Sequence, residues 1–289
     1  MKKMITSSAS SRRRGTQGFT LIELMVSVTI GMILVLFVSS LYFNSKSSYR
    51  LNDDNARIQE DGRFALSVIG RSLMQAGYGN IVTSISTDFP PTSEPGLTGI
   101  TGCDDGFVTP ITARKPTCGG TTSTGPAFAV SYTAEPYNNA DSPISGAGAD
   151  CSGTNAGGTV TNSFYLDSGT LYCKGNAGAD PQAILSNVDA MTLTYGVDTT
   201  GNYTASQSKT KASDVVALTA NDNNRQGWDQ VVTVTVCLEI HSTNNVTTAK
   251  QSYLKCGDTT PTTATDFKLH TTMTREFTLR NNATPSLVS

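Results

Sequence analysis

The sequence predicts an α+β protein in which one long N-terminal helix precedes a β-rich, loop-rich head held by disulfides. Three observations predict it. An apolar run over residues 19–43 continues without proline into an amphipathic stretch that reaches residue 76. Short alternating segments separated by Gly and Asx turns fill the second half. Charged residues are only 15% of the chain, while 42 Thr and 30 Ser supply the polar surface that an exposed β-structure favours.

The apolar run is long enough to cross a membrane. Its 25 residues, FTLIELMVSVTIGMILVLFVSSLYF, contain one ionisable side chain, Glu23. At about 1.5 Å per residue a helix of this length spans about 37 Å. Residues 1–18 carry five basic residues and no acid, whereas residues 19–289 have a formal charge of -7. The positive-inside rule therefore predicts a cytoplasmic N-terminus and a head beyond the inner membrane.

Glu23 is costly in this position. A carboxylate embedded in lipid costs several kcal/mol unless it is paired, and no Lys or Arg occurs between Arg14 and Lys46. Its partner must be another chain or a newly created α-amino group. The run ends in Ser39-Ser40-Leu41-Tyr42 instead of a small-residue cleavage site, so removal as an ordinary signal peptide is not expected.

The residues around Glu23 carry a family resemblance. Gly18-Phe19-Thr20-Leu21-Ile22-Glu23-Leu24 resembles the prepilin cleavage and methylation motif of type IV pilins and pseudopilins. The resemblance implies cleavage after Gly18 by a prepilin peptidase and N-methylation of Phe19. It also implies that Glu23 pairs with the Phe19 amine of a neighbouring subunit in a helical filament.

The helix is expected to continue beyond the membrane, with Gly77 and Gly79 as its stop signal. The region 58–79 resembles minor pilins of the PilW family, as do 187–198, 228–242 and 275–281. Major pilins commonly have a proline near position 40, where this chain has Ser40, and this favours a minor subunit. The predicted organisation is a basic leader at 1–18, a membrane and filament-core helix at 19–43, its amphipathic continuation at 44–79, and a β-rich head at 80–289.

Within the head, alternation predicts several elements. Residues 80–160 are predicted to form long loops on a sheet. The predicted strands and helix are a strand at 128–132, a hairpin of 163–166 with 170–174, a strand at 190–197, a short helix at 214–220, and strands at 231–240 and 275–281.

The six cysteines form an even set without a CxxC pair, which favours disulfides in an oxidising compartment over a zinc site. Six cysteines allow 15 connectivities. Pairing of sequence neighbours is our hypothesis, with buried free thiols as the alternative. The candidates are Cys103 with Cys118, Cys151 with Cys173, and Cys237 with Cys256.

Catalytic chemistry is not indicated. No metal-ligand spacing, nucleophile elbow or phosphate-binding loop occurs, so no enzyme, metal or cofactor is predicted. His241 and His270 are expected on the surface, as are Arg63 and Arg71. Asp104-Asp105 and Asp198–Asn202 are interpreted as turn formers rather than calcium ligands, and Trp228 as a core anchor.

The resemblance implies a minor type IV pilin that sits in the inner membrane and later at the cell surface. It would join other minor pilins and the major pilin at the inner-membrane assembly platform and prime pilus assembly near the tip. A minor pseudopilin of a type II secretion system is one alternative. A tip module whose loops at 80–160 bind a surface or DNA is another, although the acidic body disfavours nucleic acid.

Overall fold

The computed structural model describes residues 18–78, 99–108, 116–120, 125–133, 149–154, 159–178 and 180–283. The predicted leader, apart from Gly18, lies outside the described residues, as do large parts of the predicted loops at 80–160. The chain divides into two units, residues 1–50 and 51–289, and each is described by itself.

The secondary structure is one long helix followed by eleven strands and two short helices, among the residues described. The helices are α1 (Leu21–Gln75), α2 (Ala212–Val216) and a 3-10 turn at Gly227–Gln230. The strands are β1 (Ile100–Cys103), β2 (Ala127–Thr133), β3 (Thr159–Asp167), β4 (Thr170–Gly175), β5 (Gln182–Ser186), β6 (Val188–Val197), β7 (Gln207–Lys209), β8 (Val231–Asn245), β9 (Ser252–Tyr253), β10 (Thr262–Thr263) and β11 (Lys268–Thr278).

Both ends of α1 have a chemical cause. Thr20 caps its start, because its Oγ1 accepts the Glu23 backbone N–H at 3.3 Å. With Glu23 three residues later, Thr20 has the sequence of a capping box. The helix ends at Gln75, and Gly77 then adopts a φ of +71°, which glycine reaches without steric cost. The predicted glycine stop is therefore confirmed at Gly77.

The second half of α1 is the inner face of the head. Its buried residues are spaced as one helical stripe: Ile58, Gly62, Ala65, Leu66, Ile69, Gly70, Ser72 and Leu73. Two of them are glycines at which the helix approaches β11 closely. A Cβ on Gly62 would lie 2.2 Å from Met273 Sδ, and one on Gly70 would lie 2.3 Å from a Phe277 ring carbon. The helix therefore packs directly on β11.

Two large antiparallel sheets and the separate two-stranded pair of β9 and β10 form the rest of the described head. One has five strands in the order β1-β2-β3-β4-β5, and the other has four in the order β11-β8-β6-β7. The predicted hairpin is β3–β4. Its turn residues Ser168 and Gly169 have φ of 48° and 76°, both positive as a two-residue type I′ turn requires.

Several element boundaries were predicted wrongly, among them the end of α2, which is Val216 and not residue 220, and the end of β8, which is Asn245 and not residue 240. The last strand begins at Lys268, whereas residue 275 was predicted. It ends at Thr278 and not at residue 281, because Asn281 donates from Nδ2 to the Ala76 carbonyl at 2.8 Å. The short helix begins at Ala212, not at 214, because the Asp104 carboxylate accepts the Ala212 N–H at 2.6 Å.

The core lies between α1 and the two sheets. Trp228 is 7% exposed and meets Tyr195 edge to face, with ring centroids 5.1 Å apart. Its predicted role as a core anchor is confirmed. The other fully buried large residues include Phe128, Phe164, Ile69, Leu73, Leu193, Leu238 and Ile240.

All six cysteines form disulfides, in the neighbour pairing of our hypothesis. The pairs are Cys103–Cys118, Cys151–Cys173 and Cys237–Cys256, with Cα–Cα distances of 5.3, 6.2 and 5.9 Å. The first two tether strands of the five-stranded sheet to the segments around residues 118 and 151. The third tethers β8 to the segment between β9 and β10.

Candidate functional site

The surface of residues 19–43 is apolar and bare within its own unit. The large hydrophobic side chains of this segment are between 50% and 84% exposed. An 18-residue window of α1 reaches a mean hydropathy of 2.6, and none of that window is buried inside the protein. Burying apolar surface is worth about 25 cal/mol per Å². Lipid or other protein chains must therefore cover this segment.

The Gly18–Phe19 peptide bond lies just outside the helix. Thr20 is the capping residue and α1 begins at Leu21, so neither Gly18 nor Phe19 belongs to the helical hydrogen-bond ladder. Phe19 is 84% exposed, and a Cβ placed on Gly18 would meet no atom within 4 Å. The bond therefore lies outside the helix, at the start of the described chain.

Glu23 stands one turn further along the same surface. Its side chain is exposed, and it forms no ion pair with any described residue. Its backbone N–H is held by Thr20, which fixes the first turn on which the carboxylate sits. The carboxylate is thus held on the first turn of α1 and exposed.

A second cluster, in the head, was missed by sequence reasoning. The Asp189 carboxylate contacts two rings, His241 Nδ1 at 3.0 Å and His270 Nδ1 at 3.1 Å. His270 Nε2 also lies 2.8 Å from Asp266 Oδ1. The Tyr253 ring stacks on His270 at a centroid distance of 4.7 Å.

The expectation that both histidines lie on the surface is therefore wrong. His270 is 8% exposed as a residue, and the His241 side chain is 16% exposed. Gln251 covers His270 further, since its amide accepts the His270 N–H at 2.7 Å and donates to the His270 carbonyl at 3.0 Å. Local sequence gives no signal for this, because the covering residues come from distant parts of the chain. Arg63 and Arg71 are exposed, as expected.

Aspartate carboxylates in the head accept hydrogen bonds from the backbone N–H groups of its loops. Asp198 is 0% exposed and accepts backbone N–H groups from Thr200, Gly201, Asn202 and Tyr203. Burial acts to raise the pKa of Asp198, but these hydrogen bonds outweigh it and hold the pKa below the usual range.

Asp104 and Asp150 are held in the same way. For both carboxyl groups burial is the largest single influence and acts to raise the pKa, but hydrogen bonds together outweigh it. The N–H groups of Ala212 and Ser213 lower the pKa of Asp104. Those of Thr154, Ala177 and Gly178 lower the pKa of Asp150.

These carboxylates face N–H donors, whereas a calcium ion would need them free to act as ligands. In the part of the chain that the structure describes, no three His, Cys, Asp or Glu side chains are arranged to hold a metal ion. The turn-forming interpretation of Asp198–Asn202 thus fits the observed hydrogen bonds.

Comparison with known proteins agrees with this geometry. A family model for the prokaryotic N-terminal methylation motif matches residues 13–39, which include Gly18, Phe19 and Glu23. A second, for the type IV pilus-assembly protein W, matches residues 153–281. Together the two matches cover just over half of the chain.

The methylation motif, the exposed apolar helix and the disulfide-bonded β-rich head define a type IV pilin. The head match is more specific and includes the segments at 187–198, 228–242 and 275–281 that carried the resemblance. The two matches together support a type IV pilin of the PilW family. This is a family of structural subunits and not of enzymes, and its apolar helix is a membrane anchor.

Among solved structures, a type IV-like pilin from Thermus thermophilus is similar, with a TM-score of 0.42 and 13% sequence identity. The alignment covers 78% of this chain and 98% of that one. No curated protein sequence matches the chain.

Proposed function

We propose that this chain is a minor pilin that primes pilus assembly and remains near the pilus tip. Prepilin peptidase cleaves it after Gly18 and methylates the Phe19 amine, while the N-terminus is cytoplasmic and the head is on the far side of the inner membrane. The proposal rests on the bare apolar segment 19–43, which starts beside the non-helical Gly18–Phe19 bond and displays Glu23 without an ion pair among the described residues.

The assembly mechanism follows from the physics of this segment. Side-by-side packing of such helices covers apolar side chains, and in the membrane their close fit drives association. Cleavage creates a cationic amine at Phe19, next to the exposed Glu23 carboxylate. A carboxylate or an amine alone in lipid is unfavourable, so pairing Glu23 with the Phe19 amine of an adjacent subunit relieves two costs at once. The minor pilins then form a short bundle onto which the major pilin adds.

The priming role is tested by deleting the gene in a wild-type and in a retraction-defective background and counting surface pili. Loss of pili in the first, with partial recovery in the second, is the expected result. Unchanged piliation in both strains would reject the priming role. Accumulation of an exported protein in the periplasm of such a strain would instead favour the secretion pseudopilin.

The charge pairing is tested by Glu23→Ala. We expect normal cleavage, since the Gly18–Phe19 bond lies outside the helix, but at least about tenfold less of the protein in sheared pili, because the Phe19 amine loses its counter-charge in lipid. Cleavage is read from the mass of the mature chain and incorporation from immunoblots of pili.

Glu60→Ala is the matched control, because Glu60 is an exposed acid on the same helix but belongs to the head unit. It should incorporate normally. Normal incorporation of Glu23→Ala would show that the pairing does not drive assembly.

A further inference from the structure

The chain makes an excursion over residues 246–267 between β8 and β11. The short pair β9–β10 orders part of it, and at its base the Val246 and Thr247 N–H groups donate to the Phe267 carbonyl, both at 3.0 Å. The Gln251 side chain also joins it to the backbone of His270. The disulfide Cys237–Cys256 ties it to β8, and the Cys256 N–H donates to Glu239 Oε1 at 2.9 Å. Its last residues return to the four-stranded sheet beside His270.

His270 lies between two carboxylates. Its Nδ1 is 3.1 Å from Asp189 Oδ2 on β6, and its Nε2 is 2.8 Å from Asp266 Oδ1 in the excursion. An ionised carboxylate only accepts hydrogen bonds, so each contact needs an N–H on the ring. The imidazolium ring has two N–H groups and satisfies both contacts. A neutral ring has one, and its other nitrogen would then present a lone pair to a carboxylate oxygen.

We propose that His270 is a protonation-dependent clamp that holds the 246–267 excursion on the four-stranded sheet. With both ring nitrogens protonated, the clamp links Asp189 to Asp266. When the ring loses a proton, the contact with Asp266 opens and the excursion loosens. The state of the clamp therefore depends on whether the ring carries one N–H or two.

Asp266 is the contact that opens, because it is the freer of the two. Asp189 stays fixed by its second bond to His241 Nδ1 at 3.0 Å. The two carboxylates are similarly exposed, at 39% for Asp266 and 35% for Asp189, but Asp266 lies on the excursion whereas Asp189 lies in a strand of the sheet. Its remaining bond, from the Lys268 N–H at 3.1 Å, leaves the start of β11 in place.

The negative charges around His270 stabilise the cationic form of its ring. Desolvation raises the pKa of the Tyr253 hydroxyl, and Asp189, Glu239 and Asp266 raise it further, so these three carboxylates share one neighbourhood. The His270 hydrogen bond is the main cause that lowers the pKa of Asp266. The titratable groups around the clamp come from four elements of the head: Asp189 on β6, Glu239 and His241 on β8, Tyr253 on β9, and Asp266 just before and Lys268 at the start of β11. Across a cleft from His241 lie three further charged residues of α1, which are Asp54, Arg57 and Asp61.

The test is amide hydrogen exchange of the full chain in detergent micelles at about pH 5.5 and about pH 8, on either side of the ordinary histidine range. Labelling times are scaled for the intrinsic pH dependence of exchange. We expect peptides covering 246–267 to lose about tenfold protection at the higher pH, while peptides of β8 keep theirs. Equal protection at both values would overturn the proposal.

Two variants and a control separate the clamp from general destabilisation. His270→Gln and Asp266→Asn should remove the pH dependence, the first by removing the titrating ring and the second by removing the carboxylate that requires a second N–H. Asp258→Asn is the matched control, because Asp258 is an exposed acid of the excursion outside the contacts of His270, and it should keep the wild-type response. Protection of β8 in each variant verifies its fold. A pH response that persists in His270→Gln with β8 protected would also overturn the proposal.

Discussion

The substitution Asp198→Asn tests whether buried carboxylates hold the loops of the head. In the wild type, Asp198 Oδ1 accepts the Gly201 N–H at 2.8 Å, and Oδ2 accepts the Tyr203 N–H at 2.7 Å. Oδ2 also lies 3.6 Å from Arg225 Nη1. Asparagine keeps one oxygen, but its NH₂ group must replace the other. A donor then faces the Tyr203 N–H or its neighbours, and Arg225 loses its counter-charge.

The magnitude follows from these contacts. A hydrogen bond to a charged group contributes about 1.5–3 kcal/mol, and a buried donor left unpaired costs about 1–3 kcal/mol. We therefore expect Asp198→Asn to lower the free energy of unfolding by about 3 kcal/mol. For a head of this size, that corresponds to a fall in Tm of about 6–12 °C.

The assay is unfolding of the detergent-solubilised chain by urea, followed by tryptophan fluorescence. Trp228 is the single tryptophan, is 7% exposed and lies in the head core, so its emission reports on that core. Asp222→Asn is the control, since Asp222 is exposed in the neighbouring loop. A change for Asp198→Asn within about 0.5 kcal/mol of that control would refute the reasoning.

The same contacts fix the pH dependence. The folded-state pKa of Asp198 is lowered, so its contribution to stability is present above the unfolded pKa of about 3.9 and is lost as the pH falls through the lower folded value. The wild-type head should lose stability below about pH 4, and Asp198→Asn should lose less of it over that range.

Two further predictions concern packing and cross-linking. Gly70→Ala should destabilise the head by about 1–3 kcal/mol, because the new methyl group would overlap the Phe277 ring. Gly31→Ala is the control, because a Cβ there meets no atom within 4 Å, and it should leave the unfolding of the head unchanged. If the free energy of unfolding in urea falls no further for Gly70→Ala than for Gly31→Ala, the packing argument is wrong. Replacing Cys237 and Cys256 together by serine should cost about 3 kcal/mol through the lost loop constraint, measured in the same way, and an unchanged midpoint would show that the bridge contributes no stability.

Elements with a strong local signal were predictable from the sequence. The uninterrupted apolar and amphipathic pattern predicted α1, and the alternation of 231–240 predicted most of β8, which extends to Asn245. The hairpin turn was predictable because Ser168-Gly169 is one of the few dipeptides that enters a tight turn between two alternating segments. Each of these signals lies within about twenty neighbouring residues.

The histidine cluster had no such signal. His270 lies in a Thr-rich strand that resembles an exposed surface strand, and its burial comes from Tyr253, Gln251 and Asp266 on the excursion. Asp189 reaches it from β6, 81 residues away in sequence. The start of α2 was predicted wrongly for the same reason, because Asp104, which accepts the Ala212 N–H, lies 108 residues upstream. Contacts of this kind depend on sheet order, which the pattern of a single strand does not encode.

The buried aspartates also change how the charge of the chain is interpreted. Residues 19–289 have a formal charge of -7, which suggests an acidic surface. Yet Asp198 and Asp150 are 0% and 5% exposed, and their oxygens are occupied by backbone N–H groups. Loops rich in Gly, Thr and Asn have few apolar side chains to bury, so their N–H groups need acceptors of this kind. Part of the negative charge therefore satisfies backbone N–H groups of the loops and is not presented to a partner.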